Sequence, residues 1–191
     1  MIMEVYIARH GETEYNLHGK YQGGGLDSPL TATGISQAEA LGRFLEDIDF
    51  DAVYSSPLKR AQSTVEIAFK GRCKPILDSR LVEIGLGEME GMLWSEAGNT
   101  YPGSNIFDPL NYTPPPKGES LPDMIERISS FMDDISKTSH KRVFILAHGY
   151  VLRVFEACVM GKTVEALSKA RGYKNCEVAQ YRFMNGNWEN V

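Results

Sequence analysis

The sequence predicts an α/β fold around a mainly parallel sheet. Three observations carry the prediction. Short β-branched and aromatic runs alternate with segments of helical periodicity. "RVFILAH" (142–148) is an unambiguous buried strand, with five apolar residues before a polar one, and "GYVLRVFEACVM" (149–160) follows at once as a helix. "DAVYSS" (51–56) likewise runs straight into a helix start.

In chain order, "VYIA" (5–8) is a short apolar run ending at a polar turn, as a buried strand does. "LTATGISQAEALGRFLEDI" (30–48) sets Ile35, Ala38, Leu41, Leu45 and Ile48 on one helix face, with Thr31 or Thr33 to cap it. In "SPLKRAQSTVEIAF" Ser56 reads as N-cap and Pro57 as the first helical residue. "KPIL" (74–77) predicts a third strand. "ESLPDMIERISSFMDDIS" (119–136) predicts a helix with Leu121, Ile125, Ile128 and Met132 on one side. "EVAQYRFMNGNWEN" (177–190) alternates and carries Asn185-Gly186, a strong hairpin signal that completes the sheet. Residues 92–118 differ. They hold Trp94, Tyr101, Phe107 and Tyr112 without a clear period and end in "TPPPKG". Such a stretch is usually functional or mobile. It is expected as an insertion over one end of the sheet, in a single domain spanning 1–191.

Bulk properties narrow the function. With 191 residues, 42% hydrophobic and 24% charged, the chain is an ordinary globular one. The net charge of −5 and the absence of a long basic run exclude nucleic acid as the expected partner. "MIMEVYIARHGE" is neither a secretory signal nor an anchor, and no window approaches the roughly 18 apolar residues of a spanning helix, so no membrane partner is expected. Cys73, Cys158 and Cys176 are odd in number and lack CxxC spacing. They predict free thiols in the cytoplasm and no structural zinc.

In an open α/β sheet, ligands bind beyond the carboxyl ends of the strands. Here the first strand ends in Arg9-His10-Gly11. The second leads to Lys59 and Arg60. The last long strand ends in Ala147-His148-Gly149. Gly11 and Gly149 are expected to let the backbone turn sharply. Two arginines and two imidazoles, with no obvious carboxylate partner in the same motifs, predict a bound oxyanion. Phosphate fits best, because the guanidinium fork matches its oxygens, and histidine can attack phosphorus. Lys59, His18 and His140 are expected at the surface.

"RHGETEYN", "LTATGISQA", "SSPLKRAQST", "VEIGLGEMEG", "GESL" and "LAHGYVLR" occur in the order of the histidine phosphatase superfamily. The chain resembles its phosphoglycerate mutase-like branch, which also holds small broad-specificity phosphatases. The resemblance implies a three-layer α/β/α sandwich. It implies that His10 is the nucleophile, that Arg9, Arg60 and His148 bind phosphate, and that Glu83 donates and accepts the proton; Glu88 and Glu90 are the alternatives. Asn16, Gln22, Gly23 and Gly149 are expected to complete the substrate site. No cofactor and no metal are expected, since no Asp cluster of the kind that holds Mg²⁺ accompanies the motifs.

The implied function is hydrolysis of a small phosphorylated metabolite. The alternatives are a cofactor-dependent phosphoglycerate mutase and a non-catalytic phospholigand binder. Two departures bear on the choice. From Ile84 through Gly118 the only basic residue is Lys117, whereas a phosphoglycerate also presents a carboxylate. The loop "QGGGLDSPL" (22–30) is glycine-rich and is expected to be mobile.

Overall fold

The computed structural model describes residues 2–191. Strand β1 (Ile2–Arg9) extends beyond the apolar run that predicts it, because Met3, Val5 and Ile7 alternate inward. Helices α1 (Glu14–Leu17) and α2 (Ala32–Phe44) follow, then β2 (Ala52–Ser55), α3 (Lys59–Ala68) and β3 (Ile76–Leu77). After α4 (Trp94–Thr100) come α5 (Leu121–Ser136), β4 (Arg142–Ala147), α6 (Gly149–Met160) and α7 (Val164–Lys169). The hairpin of β5 (Val178–Met184) and β6 (Asn187–Asn190) ends the fold. Asn185 and Gly186 turn it with φ of 52° and 83°, as the Asn-Gly signal requires.

The six strands lie in the order β3-β2-β4-β1-β5-β6. Strands β1 to β4 pair in parallel, and β5 and β6 add antiparallel at one side. Side chains alternate across β4. Phe144 and Leu146 pack with α2 and α3 through Leu41, Ala61 and Val65. Val143 and Ile145 pack on the other face with Ile128, Phe131 and Val151 of α5 and α6. This is the three-layer arrangement.

Three local expectations are corrected. Thr31 does cap α2, accepting from the Gly34 N–H at 3.0 Å, but Ile35 is 43% exposed. The buried face is Gly34, Ala38, Leu41 and Gly42 instead. The helix turns its glycines inward because its backbone lies directly on its neighbours: a Cβ on Gly34 would come within 2.1 Å of the Glu12 carbonyl oxygen, in the chain leaving β1, and one on Gly42 within 2.4 Å of the Ala68 carbonyl oxygen of α3. Helix α3 begins at Lys59, not at Pro57; its N-cap residue, Leu58, has no capping side chain, and the Lys59 N–H is held by Asp27 instead. Ser56 is fully buried, and its hydroxyl lies 2.7 Å from His148 Nε2. Residues 92–118 carry regular structure after all: α4 and a 3₁₀ turn at Pro109–Asn111. They lack a visible period because α4 buries a single residue, Ala97. The segment lies at the carboxyl end of the sheet, where the Tyr150 hydroxyl donates to the Ile106 carbonyl at 2.8 Å.

Among the described residues no helix is long and apolar enough to cross a membrane, and Cys73, Cys158 and Cys176 are unpaired.

Candidate active site

Parallel pairing of β1 and β4 sets Arg9 opposite Ala147, so the residues just beyond them, His10 and His148, become neighbours. Their ring centroids are 5.1 Å apart at 62°. The His10 N–H donates to the Ala147 carbonyl at 3.0 Å. Below this pair, Thr64 Oγ1 of α3 accepts from the Gly11 N–H at 3.1 Å.

Hydrogen bonding fixes both tautomers. His10 Nδ1 lies 2.7 Å from the Gly11 carbonyl, which can only accept. Nδ1 therefore carries the proton, and the Nε2 lone pair is left without a partner. Burial, then the charges of Arg60 and Arg9, hold the His10 pKa well below its ordinary value. His148 has the opposite tautomer. Its Nδ1 accepts from Arg60 Nε at 3.2 Å, so its Nε2–H donates to Ser56 Oγ. Burial and the same cations keep it neutral. The positive charge of the site sits on the guanidinium groups of Arg9 and Arg60.

Arg60 is 1% exposed. Besides His148 it reaches the Leu26 carbonyl at 2.9 Å, Asp27 Oδ1 at 3.0 Å and the Gly23 carbonyl at 3.0 Å. Asp27 is the carboxylate partner that the motifs do not reveal. Arg9 donates through Nη1 to the Tyr173 carbonyl at 2.9 Å, while its buried Nε has no partner.

The glycine-rich loop is pinned, contrary to expectation. Arg60 holds two of its carbonyls, the Gly24 N–H donates to the Ile84 carbonyl, and the Gly25 N–H donates to Glu90 Oε1 at 3.1 Å. Gly23 turns its carbonyl to Arg60, and a Cβ there would come within 2.5 Å of Glu90 Oε1. Neither Gly11 nor Gly149 has a positive φ. Both permit close approach rather than a sharp turn: a Cβ on Gly11 would meet the Gly34 carbonyl oxygen at 2.5 Å, and one on Gly149 would meet Arg9 Nε at 3.3 Å.

Glu83 reaches the site from the loop after Leu81. Its oxygens accept from the N–H groups of Ile84 at 3.0 Å and Tyr150, in the first turn of α6, at 3.2 Å. Burial raises its pKa; those two N–H groups and the charges of Arg60 and Arg9 oppose the rise without cancelling it. The alternatives are turned elsewhere. Glu88 pairs with Lys117, and Glu90 Oε1 accepts from the Gly25 and Leu86 N–H groups.

A cavity of about 180 Å³ opens beside Arg9 and Glu83, while His10, Arg60 and His148 lie behind its wall and are not among its lining residues. Arg9, Asn16, Gln22, Glu83 and Gly149 line it, as do the aromatic residues Tyr21, Trp94, Phe107 and Tyr150. Asn16 Oδ1 is held by the Thr13 N–H at 3.2 Å, which leaves its Nδ2 free to face a ligand. Gln22 satisfies both ends of its amide when its oxygen faces Arg60 Nη1, at 3.1 Å, and its nitrogen faces Thr13. Gly23 does not line the cavity. Two cations the motifs left unassigned, Lys20 and Arg153, do. Arg153 stands in "LAHGYVLR", one helical turn past Gly149, and that spacing is the signal by which it could have been found.

A sheet with two adjacent imidazoles at neighbouring strand ends, and with Arg9, Arg60 and the buried Glu83 carboxyl gathered around them, has the architecture of a phosphoglycerate mutase-like α/β enzyme. The chain belongs to the histidine phosphatase superfamily (branch 1), whose family model matches residues 5–191. It is 30% identical to "Probable phosphoglycerate mutase GpmB" of Proteus mirabilis, over 98% of this chain and 88% of the relative. It is 31% identical to phosphoserine phosphatase 1 of Hydrogenobacter thermophilus, over 94% and 85%. The solved structure of Bacillus stearothermophilus YhfR superposes with a TM-score of 0.89 at 31% identity, covering 99% of this chain and 95% of that one.

Proposed function

We propose that the protein is a phosphomonoester hydrolase that acts on a small phosphorylated metabolite through a phosphohistidine on His10, without a metal. The observation that carries the reading is the His10 Nδ1 contact with the Gly11 carbonyl at 2.7 Å, which leaves the Nε2 lone pair for phosphorus. In the first step Nε2 forms a bond to phosphorus, the ester P–O bond breaks, and Glu83 gives its proton to the departing alkoxide. In the second, Glu83 takes a proton from the water that displaces His10. A raised carboxyl pKa suits both roles. Arg9 and Arg60 stabilise the charge on the transferring group. His148 holds Arg60 in place through its Nδ1 lone pair. Asn16 and Gln22 add neutral contacts. The free thiols support a cytoplasmic setting.

Brief incubation with labelled substrate is expected to leave acid-labile, base-stable label on the protein. His10→Ala should carry no label and have almost no turnover. Full activity in that variant would end the reading.

A second reading, a cofactor-dependent phosphoglycerate mutase, is favoured by one observation: Lys20 and Arg153 bring to the cavity cations that residues 84–118 lack. Hydrolysis is preferred because that segment contributes Ile84, Leu86, Trp94, Ile106 and Phe107, all apolar, to the lining. A non-catalytic binder would have no use for a His10 Nε2 left without a partner or for a buried Glu83 whose pKa is raised.

A further inference from the structure

The block "GESL" carries a glutamate that no step of the reaction uses. Glu119 stands immediately before Ser120, the N-cap of α5, and Arg127 lies in the second turn of that helix. Nε and Nη2 of Arg127 donate to the two carboxylate oxygens of Glu119 at 2.6 and 2.9 Å, a fork on a fork. Each side chain is only 20% exposed. Both partners also hold backbone. Glu119 Oε2 accepts from the Gly85 N–H at 3.1 Å, and the Glu119 N–H donates to the Gly85 carbonyl at 2.7 Å. Arg127 Nη1 donates to the Arg80 carbonyl. One ion pair therefore grips a single loop at residues 80 and 85, and Glu83 lies between the two grips.

Close packing does not fix this loop throughout. Leu81 and Ile84 anchor it in the core. Val82, Glu83 and Gly85 instead border a second cavity, of about 380 Å³, together with Glu119 and Arg127. Glu83 also lines the cavity of the candidate active site, which neither Glu119 nor Arg127 reaches. It stands in a wall with space on both faces. There hydrogen bonds, more than packing, decide how far the carboxyl extends. The demand is strict, because a misplacement of about 1 Å costs on the order of 10²-fold in rate.

We propose that Glu119 and Arg127 are positioning residues for Glu83: their ion pair sets the loop 80–85 so that the Glu83 carboxyl meets the departing oxygen. The proposal rests on the hydrolase reading and deepens it.

The test reads the burst that phosphorylates His10, from benzyl phosphate and from p-nitrophenyl phosphate. The two esters are alike in size, but only the benzyl alkoxide needs a proton to leave. The ratio of their burst rates cancels any loss of folded enzyme. Arg127→Met should lower the benzyl to p-nitrophenyl ratio about 10- to 100-fold, as a displaced proton donor does. Arg127→Lys keeps the charge without the fork and should lower it less. In a Glu83→Gln background Arg127→Met should leave the ratio where Glu83→Gln alone puts it, because no acid remains to be placed. Glu119→Gln should shift the ratio in the same direction as Arg127→Met, and it answers the question where Arg127→Met folds poorly. Equal losses for the two esters in these variants overturn the proposal: the pair then only supports the fold. A fall of the same size in the Glu83→Gln background overturns it too, since the pair would act by another route. So does a wild type that p-nitrophenyl phosphate phosphorylates and benzyl phosphate does not, because it has no proton donor to place. In all three cases a p-nitrophenyl burst that is lost in His10→Ala leaves the hydrolase reading standing. Absence of label on His10 from either ester overturns both.

Discussion

Arg60 Nε donates to His148 Nδ1 at 3.2 Å, and the proton that remains on His148 Nε2 goes to Ser56 Oγ at 2.7 Å. This chain fixes a cation and a neutral imidazole side by side. It also means that the site resists protonation when empty, which has a consequence for stability.

His10 and His148 both have pKa values well below the usual 6.5 in the folded chain. In the unfolded chain they take up protons near that value. Below it the unfolded state binds more protons, so stability is full above pH 6.5 and falls as pH drops, by up to about 1.4 kcal/mol per pH unit for each histidine. Glu83, raised in the fold, works the other way: its contribution is full below its unfolded value and is lost as pH rises through its folded one. The difference between two proteins isolates His10. Denaturant unfolding at pH 7 and 5.5 should show the wild type losing more stability than His10→Gln, by about 1 kcal/mol. Equal losses would mean that His10 titrates normally in the fold.

Asp27 holds Arg60 Nη1 at 3.0 Å, and its other oxygen accepts from the Lys59 N–H. Asp27→Asn keeps the shape and removes the charge. Turnover of p-nitrophenyl phosphate should fall roughly 10- to 100-fold in kcat/KM, the worth of a charge-assisted hydrogen bond. Asp27→Ala should also cost about 1–3 kcal/mol in a denaturant melt, because the Arg60 side chain beside it is fully buried. A variant with wild-type kinetics would show that His148 and the loop carbonyls suffice to place Arg60.

The asymmetry between Arg60 and Asp27 illustrates what a sequence displays. His10, Arg60, Glu83 and His148 stand in blocks whose order survives in one dimension, and the strands that carry the two histidines are plain apolar runs. Asp27 is 33 residues from Arg60. Only the folded loop brings it close. The loop's glycines suggest mobility when read singly, whereas their missing side chains let Glu90, Ile84 and Arg60 approach and tie the loop down. Gly11 misleads similarly, since close packing and a sharp turn select the same residue. Helix α4 hides because one buried alanine makes no period. Ser56 has the look of a cap, but its hydroxyl is engaged by a histidine 92 residues away.

Chelation should leave activity intact. In the proposed reaction Arg9 and Arg60 supply the positive charge for the phosphoryl group, and among the described residues no three His, Cys, Asp or Glu side chains gather to hold an ion. Assays before and after EDTA, with Mg²⁺ added back, check this. Loss on chelation and recovery with Mg²⁺ would require a different mechanism.

Given 3-phosphoglycerate and a bisphosphoglycerate primer, isomerisation should be slow compared with phosphate release from the best monoester. Retaining a phosphoglycerate through two transfers calls for a strongly cationic grip, and besides Arg9 the cations that line the cavity are Lys20 and Arg153. Rapid isomerisation, followed by coupled assay, would show that those two cations are sufficient and would favour the mutase.

The role of Glu83 can be read through the leaving group. An aliphatic alkoxide is a poor leaving group and needs its proton in the transition state, where general acid catalysis is worth about 10²–10⁴-fold, roughly 3–5 kcal/mol. A nitrophenolate departs without one. Glu83→Gln removes the acid and keeps the size, and its amide oxygen can still accept one of the N–H groups of Ile84 and Tyr150, which bond different oxygens of Glu83. Phosphorylation of His10 by an alkyl phosphate should therefore slow by about that factor, and phosphorylation by p-nitrophenyl phosphate much less. Single-turnover bursts are the measurement required, because steady-state rates for both substrates would share the later attack of water, in which Glu83 is the base. The wild-type burst with the alkyl ester should also decline as pH rises through the Glu83 pKa, since the acid is then lost, and this decline should vanish in Glu83→Gln. Equal losses for the two esters would remove Glu83 from the acid role. Glu90, whose Oε2 is buried without a partner, would then be the group to replace.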